Sequence, residues 1–205
     1  MSGCGRRIFL ALTGASGTVY GLRLAEELSS REFNLTVCIS SSGQLVCQEE
    51  TGLDLSGDLS SASERLGAYL GISSAIELVS PDNLFSCSAS GSAAPDAMIV
   101  APCSMGTLAR IACGISTNLI ERSADVMLKE RRPLLLMPRE TPLSEIHLEN
   151  MLKLSRAGAR IIPAMPGFYH RPQSIDDLVD FIVGKVLDQL GVVNDLYQRW
   201  GRKND

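Results

Sequence analysis

The stretch Arg7-Ile8-Phe9-Leu10-Ala11-Leu12-Thr13-Gly14-Ala15-Ser16-Gly17 runs from apolar residues into a glycine and serine turn, and Val19 to Leu28 behind it carries apolar residues at helical spacing. The order reads as strand, tight turn and helix. The same unit recurs along the chain. Leu35–Ser40, Ile76–Val79 (weakly), Ala97–Ala101, Pro133–Met137 and Arg160–Pro163 read as further strands, and helices fill most of the gaps. A second small-residue turn, Pro102-Cys103-Ser104-Met105-Gly106-Thr107, follows the fourth strand as the first turn follows the first. This alternation predicts an α/β fold of three layers, a doubly wound, mostly parallel sheet with helices on both faces. In such sheets ligands gather beyond the carboxyl ends of the strands, where the winding reverses. If the first and fourth strands are neighbours, both turns face one crevice. The Ser56–Ser63 and Leu84–Pro95 stretches read as polar loops.

The chain has 205 residues, 45% of them hydrophobic, enough for one domain with a substantial core. Its net charge is −4, and its longest basic run is Lys129-Glu130-Arg131-Arg132, which argues against a nucleic-acid partner. Six cysteines include no Cys-x-x-Cys pair and read as reduced thiols, several of them behaving as small hydrophobes. No apolar run is long enough for a membrane span, and the start lacks a signal-peptide pattern, so a cytoplasmic protein without membrane contact is expected.

Exposed N–H groups and the positive end of a helix dipole make both small-residue turns suited to an anion such as the phosphate of a nucleotide-like cofactor. Plain helix capping fits a single such turn equally well. Gly14 to Gly17 supply Gly-x-x-Gly rather than the dinucleotide Gly-x-Gly-x-x-Gly, and no acid ends the second strand at Ser40, which disfavours NAD. Arg122 and Lys129 share one face of a helix predicted over 118–131. They suit either an anionic substrate or surface pairing, with Lys129 reaching Asp125. Pro138-Arg139-Glu140-Thr141-Pro142 follows the fifth strand, where an arginine could clamp phosphate and a carboxyl could move a proton, or the two could form a loop ion pair. Asp176-Asp177-Leu178-Val179-Asp180 imitates a magnesium-diphosphate motif. Ser174 as N-cap, with Asp177 three residues on, accounts for it as helix initiation, and no metal site is expected. Pro166 to Pro172 form a rigid aromatic loop in which Tyr169 either meets a phosphate or packs a turn. Trp200, in a polar tail, is expected to dock on its own subunit or over a neighbour's site.

Thr13-Gly14-Ala15-Ser16-Gly17, Ala101 to Leu108, Leu128 to Leu134, Pro138 to Pro142, His147 to Met151 and Pro166 to His170, taken in order, closely resemble the flavin prenyltransferases of the UbiX family. The resemblance spans residues 6 to 200. It implies flavodoxin-like, broadly Rossmann-like subunits that join a dimethylallyl group from dimethylallyl monophosphate to N5 and C6 of reduced FMN. The prenylated FMN would pass to UbiD-type decarboxylases in ubiquinone synthesis or aromatic-acid breakdown. It further implies a homo-oligomer, a dodecamer, with sites at subunit interfaces and the tail from about residue 191 docked on a neighbour.

Carried over by position, the resemblance makes Gly14, Ala15, Ser16, Ser40, Ser104, Met105, Gly106, Thr107 and Arg139 contacts of FMN, with Ser90 facing the flavin. Arg122, Lys129, Glu140, Tyr169 and Lys185 would hold the prenyl phosphate, partly across an interface. Ser16, Glu50, Glu140 and Trp200 would serve the reaction. Two other readings are a flavin-dependent decarboxylase of similar fold and a non-enzymatic FMN carrier.

Overall fold

The computed structural model describes residues 5–31, 33–72 and 76–200. Its six strands are β1 (Arg7–Leu12), β2 (Asn34–Ile39), β3 (Glu77–Val79), β4 (Ala97–Cys103), β5 (Leu134–Pro138) and β6 (Arg160–Ile161). They form one sheet in the order β3-β2-β1-β4-β5-β6, and every pairing is parallel. β1 and β4 are therefore neighbours, and the winding reverses between them. Seven α-helices accompany the sheet: α1 (Thr18–Ser30), α2 (Ser41–Thr51), α3 (Leu59–Tyr69), α4 (Met105–Ala112), α5 (Leu119–Lys129), α6 (Glu145–Arg156) and α7 (Ile175–Gln189).

The period-2 geometry of a strand sends alternate side chains to opposite faces. Ile8, Leu10 and Leu12 of β1 and Ile99 of β4 enter one core with α1, α3 and α7. Phe9 and Ala11 of β1 and Met98 and Val100 of β4 enter the other with α4, α5 and α6. Both faces are apolar because both are covered, so the strands read as continuous apolar runs.

Two features differ from the sequence reading. Ser56–Ser63 is only partly a loop: Asp58 accepts a hydrogen bond from Ser61 N at 2.9 Å and starts α3 at Leu59. The serines that suggested a loop lie in the first turns of that helix. In the Leu84–Pro95 loop, two short 3₁₀ turns, Cys87–Ala89 and Gly91–Ala93, give local order. Cys38, Cys47 and Cys103 are buried, and burial pushes the thiols of Cys38 and Cys103 up to about 12, which keeps them protonated packing groups. Cys4 lies outside the described residues.

Candidate active site

Thr13 joins the two small-residue turns. Its hydroxyl donates to Pro102 O at 2.9 Å and accepts from Ser104 N at 2.8 Å, while Thr13 N donates to Pro102 O at 3.1 Å. This buried residue clamps the ends of β1 and β4 together, so the turns share one crevice. A cavity of about 340 Å³ opens there, lined by Gly14, Ser40, Ser42, Ser104, Thr107 and Arg110 among others. Ser40 caps α2 by accepting from Gly43 N at 3.0 Å, and Ser104 caps α4 by accepting from Thr107 N at 3.3 Å. The cavity thus lies at the electropositive starts of two helices. Gly14 allows a close approach: a Cβ added there would sit 2.5 Å from Ser42 Cβ.

The start of α1 is used differently. Gly17, at φ 102°, occupies a left-handed position that favours glycine, and it has no side chain with which to cap the helix. Glu50, from the last turn of α2, takes that role. Its carboxylate accepts from Gly17 N at 3.0 Å and from Thr18 N at 2.9 Å, and it is also hydrogen-bonded by the Ser16 side chain. Partial burial works against the carboxylate, but these donors outweigh it and hold the Glu50 carboxyl below its ordinary value. The expectation that both turns present a free anion site is therefore corrected for the first: its helix start already binds a carboxylate. Gly14 still lines the cavity, and the α2 and α4 starts remain open to it.

This arrangement has a pH signature. A folded-state value below the unfolded value of about 4.5 means that the contribution of Glu50 to stability is present above that value and lost as pH falls through the lowered one. Glu50→Gln is expected to cost about 1 kcal/mol at neutral pH, the scale of a lost helix cap. The difference from wild type should narrow in acid, as read by urea melts across pH 3 to 7. A constant difference over that range would rule out the carboxylate as its source.

Arg139 and Glu140 follow β5. Arg139 Nε donates to Ser16 O at 3.0 Å, which ties the end of β5 to the first turn, while Glu140 Oε1 accepts from Thr141 N at 3.0 Å. The alternative of an ion pair between these two neighbours is not formed. The loop beyond β6 carries Tyr169, whose ring meets Phe181 at 5.7 Å and Trp200 at 5.3 Å, both edge-on. Lys185 Nζ stands 4.8 Å from the Tyr197 ring centroid and 5.4 Å from that of Phe181. His170 stacks flat on Phe181 at 5.2 Å. His147 completes the capping box of α6 with Ser144, and Asp177 that of α7 with Ser174, as the helix-initiation reading of the Asp176 string requires.

The tail folds back on α7. Tyr197 is buried against Gly184, and Arg199 and Tyr197 both donate to Asp188, at 2.6 Å from Arg199 Nη2 and 2.6 Å from the phenol. The Arg199 guanidinium holds the Asp188 carboxyl down to about 2, with Tyr197 and Asn194 assisting against partial burial. Burial and the adjacent Asp188 push the Tyr197 phenol up to about 12. Trp200, directly after this clamp, remains 81% exposed with one edge on Tyr169.

Arg122 and Lys129 lie beside segment 89–91, in which Ser90 Oγ pairs with Ser92 Oγ at 3.1 Å. Arg122 Nε donates to Ala89 O at 3.2 Å, its Nη1 pairs with Asp125 at 2.9 Å, and Lys129 pairs with Glu130 beside Gly91. Asp125 thus pairs with Arg122, three residues away, and not with Lys129. Helix α5 begins beside the cavity, where Asn118 is part of the lining. Lys129 ends that helix about 15 Å further along its axis, toward the amino end of β5. Among the described residues, neither Arg122 nor Lys129 forms a hydrogen bond or ion pair with Arg139 or Glu140.

Two participants escaped the sequence reading. In the sequence Thr13 reads only as part of a turn. Arg110 and its partner Glu121, a side chain with no exposed surface, stand eleven positions apart on different helices, where no periodicity links them. The one available signal was an acid at an otherwise core-facing position of α5.

A parallel sheet with a polar cavity at its winding reversal is the architecture of mononucleotide-binding α/β proteins, and the chain matches the flavoprotein family model over residues 3–187. It is 51% identical to the flavin prenyltransferase UbiX of Pseudomonas aeruginosa over 199 residues, covering 97% of this chain and 95% of that one. The chain belongs to the UbiX family. Among solved structures, AnUbiX (PadA1), in complex with FMN and dimethylallyl pyrophosphate, matches with TM-score 0.87 and 40% identity, covering 98% of this chain and 100% of that one. A dodecameric FMN-dependent UbiX-like decarboxylase from Escherichia coli O157:H7 matches with TM-score 0.85 and 38% identity over 96% and 100% of the two chains.

Proposed function

We propose that this chain is a metal-independent flavin prenyltransferase that transfers a dimethylallyl group from dimethylallyl monophosphate to N5 and C6 of reduced FMN. The observation that carries the reading is the full-length likeness to AnUbiX, whose solved complex contains both FMN and a dimethylallyl ester. The residues of the cavity suit the flavin's phosphate tail: the starts of α2 and α4, the hydroxyl residues Ser40, Ser41, Ser42, Ser104 and Thr107, and Arg110 line it. Reduced FMN, when bound, supplies the nucleophilic ring atoms.

The protein's part is electrostatic and protective. Breaking the allylic C–O bond builds positive charge on carbon and negative charge on phosphate, so Lys185 and the Tyr169 hydroxyl, which hold the prenyl phosphate in this reading, lower the barrier without a metal. Lys129 sits at the far end of α5, and Arg122, in its first turn, is engaged by Ala89 O and Asp125; in this reading both join such a site from a second copy of the chain, in a homo-oligomer, a dodecamer. Glu140 gives a proton to the departing phosphate, while Ser16 and Glu50 relay protons near the ring. Gly14, Ala15, Ser16, Ser40, Ser90, Ser104, Met105, Gly106, Thr107 and Arg139 hold FMN in this reading. The product would serve UbiD-type decarboxylases in the cytoplasm.

The test is anaerobic mixing of the protein with reduced FMN and dimethylallyl monophosphate. A product heavier than FMN by one C5H8 unit is expected, and recovery of FMN alone would overturn the proposal. Trp200 covers the developing allyl charge with its exposed π face and keeps water away. Trp200→Ala should slow product formation roughly 2- to 30-fold, the rate equivalent of a cation–π contact, with an unchanged urea midpoint. Full activity would remove Trp200 from the site.

A further inference from the structure

We infer that Arg110, held in place by Glu121, is a ligand of the flavin phosphate and sets the preference of this protein for FMN over riboflavin. The inference rests on the FMN reading above and extends it to residues outside the carried-over set. Arg110 is the one cationic side chain among the described residues lining the 340 Å³ cavity. Its Nε pairs with Glu121, and its Nη2 donates to Thr107 Oγ1 at 3.3 Å. Thr107 Oγ1 in turn lies 3.0 Å from Ser104 Oγ, the cap of α4. Nη1 has no protein partner among the described residues and lies beside Gly106: a Cβ added there would stand 3.4 Å away. The fork is thus turned toward the first turn of α4, where backbone N–H groups also collect, and the side chain is 44% exposed.

A mere tie between α4 and α5 would engage both arms of the guanidinium with the carboxylate, the stronger bidentate form. Here one edge is used for anchoring and the other is left for a ligand. Glu121 is built as an anchor. Its carboxylate accepts from Thr117 N at 2.9 Å and from Thr117 Oγ1 at 2.6 Å in addition to Arg110, so it has no unmet demand and does not compete for the free arm. Asp82 also lines the cavity. A phosphate dianion placed there meets a like charge, and Arg110 is the group that offsets it. Riboflavin, which lacks the phosphate, gains nothing from Arg110.

The experiment measures dissociation constants of FMN and riboflavin for wild type, Arg110→Met, Arg110→Lys and Glu121→Gln, by flavin fluorescence at two salt concentrations. Arg110→Met should lose FMN affinity roughly 10- to 100-fold, the range of a charge-assisted hydrogen bond, while riboflavin affinity stays within about twofold. Arg110→Lys keeps the charge and loses the fork, so an intermediate loss is expected. Glu121→Gln should lower the FMN to riboflavin ratio in the same direction, which a purely structural role would not do. Wild-type FMN affinity should fall more steeply with salt than that of Arg110→Met. If wild type binds neither flavin, the FMN reading fails and this inference with it. If wild type binds FMN and Arg110→Met keeps its ratio, or loses both flavins equally, the inference alone fails. Should Arg110→Met not fold, the ratio in Arg110→Lys decides: a wild-type ratio overturns the assignment.

Discussion

Glu140→Gln is expected to lower the rate of flavin prenylation by at least about 100-fold, the lower end of what general acid–base catalysis contributes, while leaving FMN affinity within experimental error. The separation follows from position. Glu140 sits just beyond β5 and makes its own contact with Thr141 N, whereas the phosphate cavity is built from β1, β2 and β4 ends and the starts of α2 and α4. Glutamine keeps the shape and can still accept from Thr141, but it has no proton to give to the departing phosphate. Single-turnover kinetics with reduced FMN, together with FMN titration, measure the two quantities. An unchanged rate would take away the acid role assigned to Glu140. A parallel loss of FMN affinity would mean that the residue holds the flavin.

The second large effect is on stability. Gly21→Ala, which by helix propensity alone would stabilise α1 by about 1 kcal/mol, is expected to destabilise the protein by about 2 kcal/mol or more. The added Cβ would stand 2.3 Å from Ala101 O and 2.7 Å from Leu12 Cγ. The first is backbone of the central strand β4 and cannot swing aside, so α1 must lift from the sheet. Because α1 starts at the turn carrying Ser16 and Gly17, the same change should weaken FMN binding. Urea denaturation gives the first quantity, and a midpoint equal to or above that of wild type would contradict the close packing of α1 on the sheet.

The architecture was legible because both faces of the sheet are covered: β1, β4 and β5 show as unbroken apolar runs, and the turns behind the first two give away where the winding reverses. Boundaries slid by one or two residues where a polar cap belongs to the next helix, as Ser40 does. The α3 start was obscured by serines, which serve equally in loops and on an exposed helical turn. The site was harder to read. The cavity-lining turns stood out by composition. Glu50 could be assigned only through family resemblance, because it reaches the α1 start from the far end of the next helix. Thr13 and the Arg110–Glu121 pair act through tertiary contacts that leave no periodic trace, and the place of Lys129, a helix length from the start of α5, depends on the direction in which α5 runs.

The carboxylate at the start of α1 bears on ligand choice across this architecture. The strand order is the one used by proteins that bind a pyrophosphate at that very helix start. In this chain Glu50 already fills the place with its own negative charge, so a bridging pyrophosphate would meet repulsion where its relatives in other families find attraction. In the FMN reading proposed above, a single terminal phosphate lies instead at the starts of α2 and α4. Glu50 thus acts as a permanent internal occupant of a place that other proteins of this strand order leave open to a ligand, while the scaffold around it is unchanged.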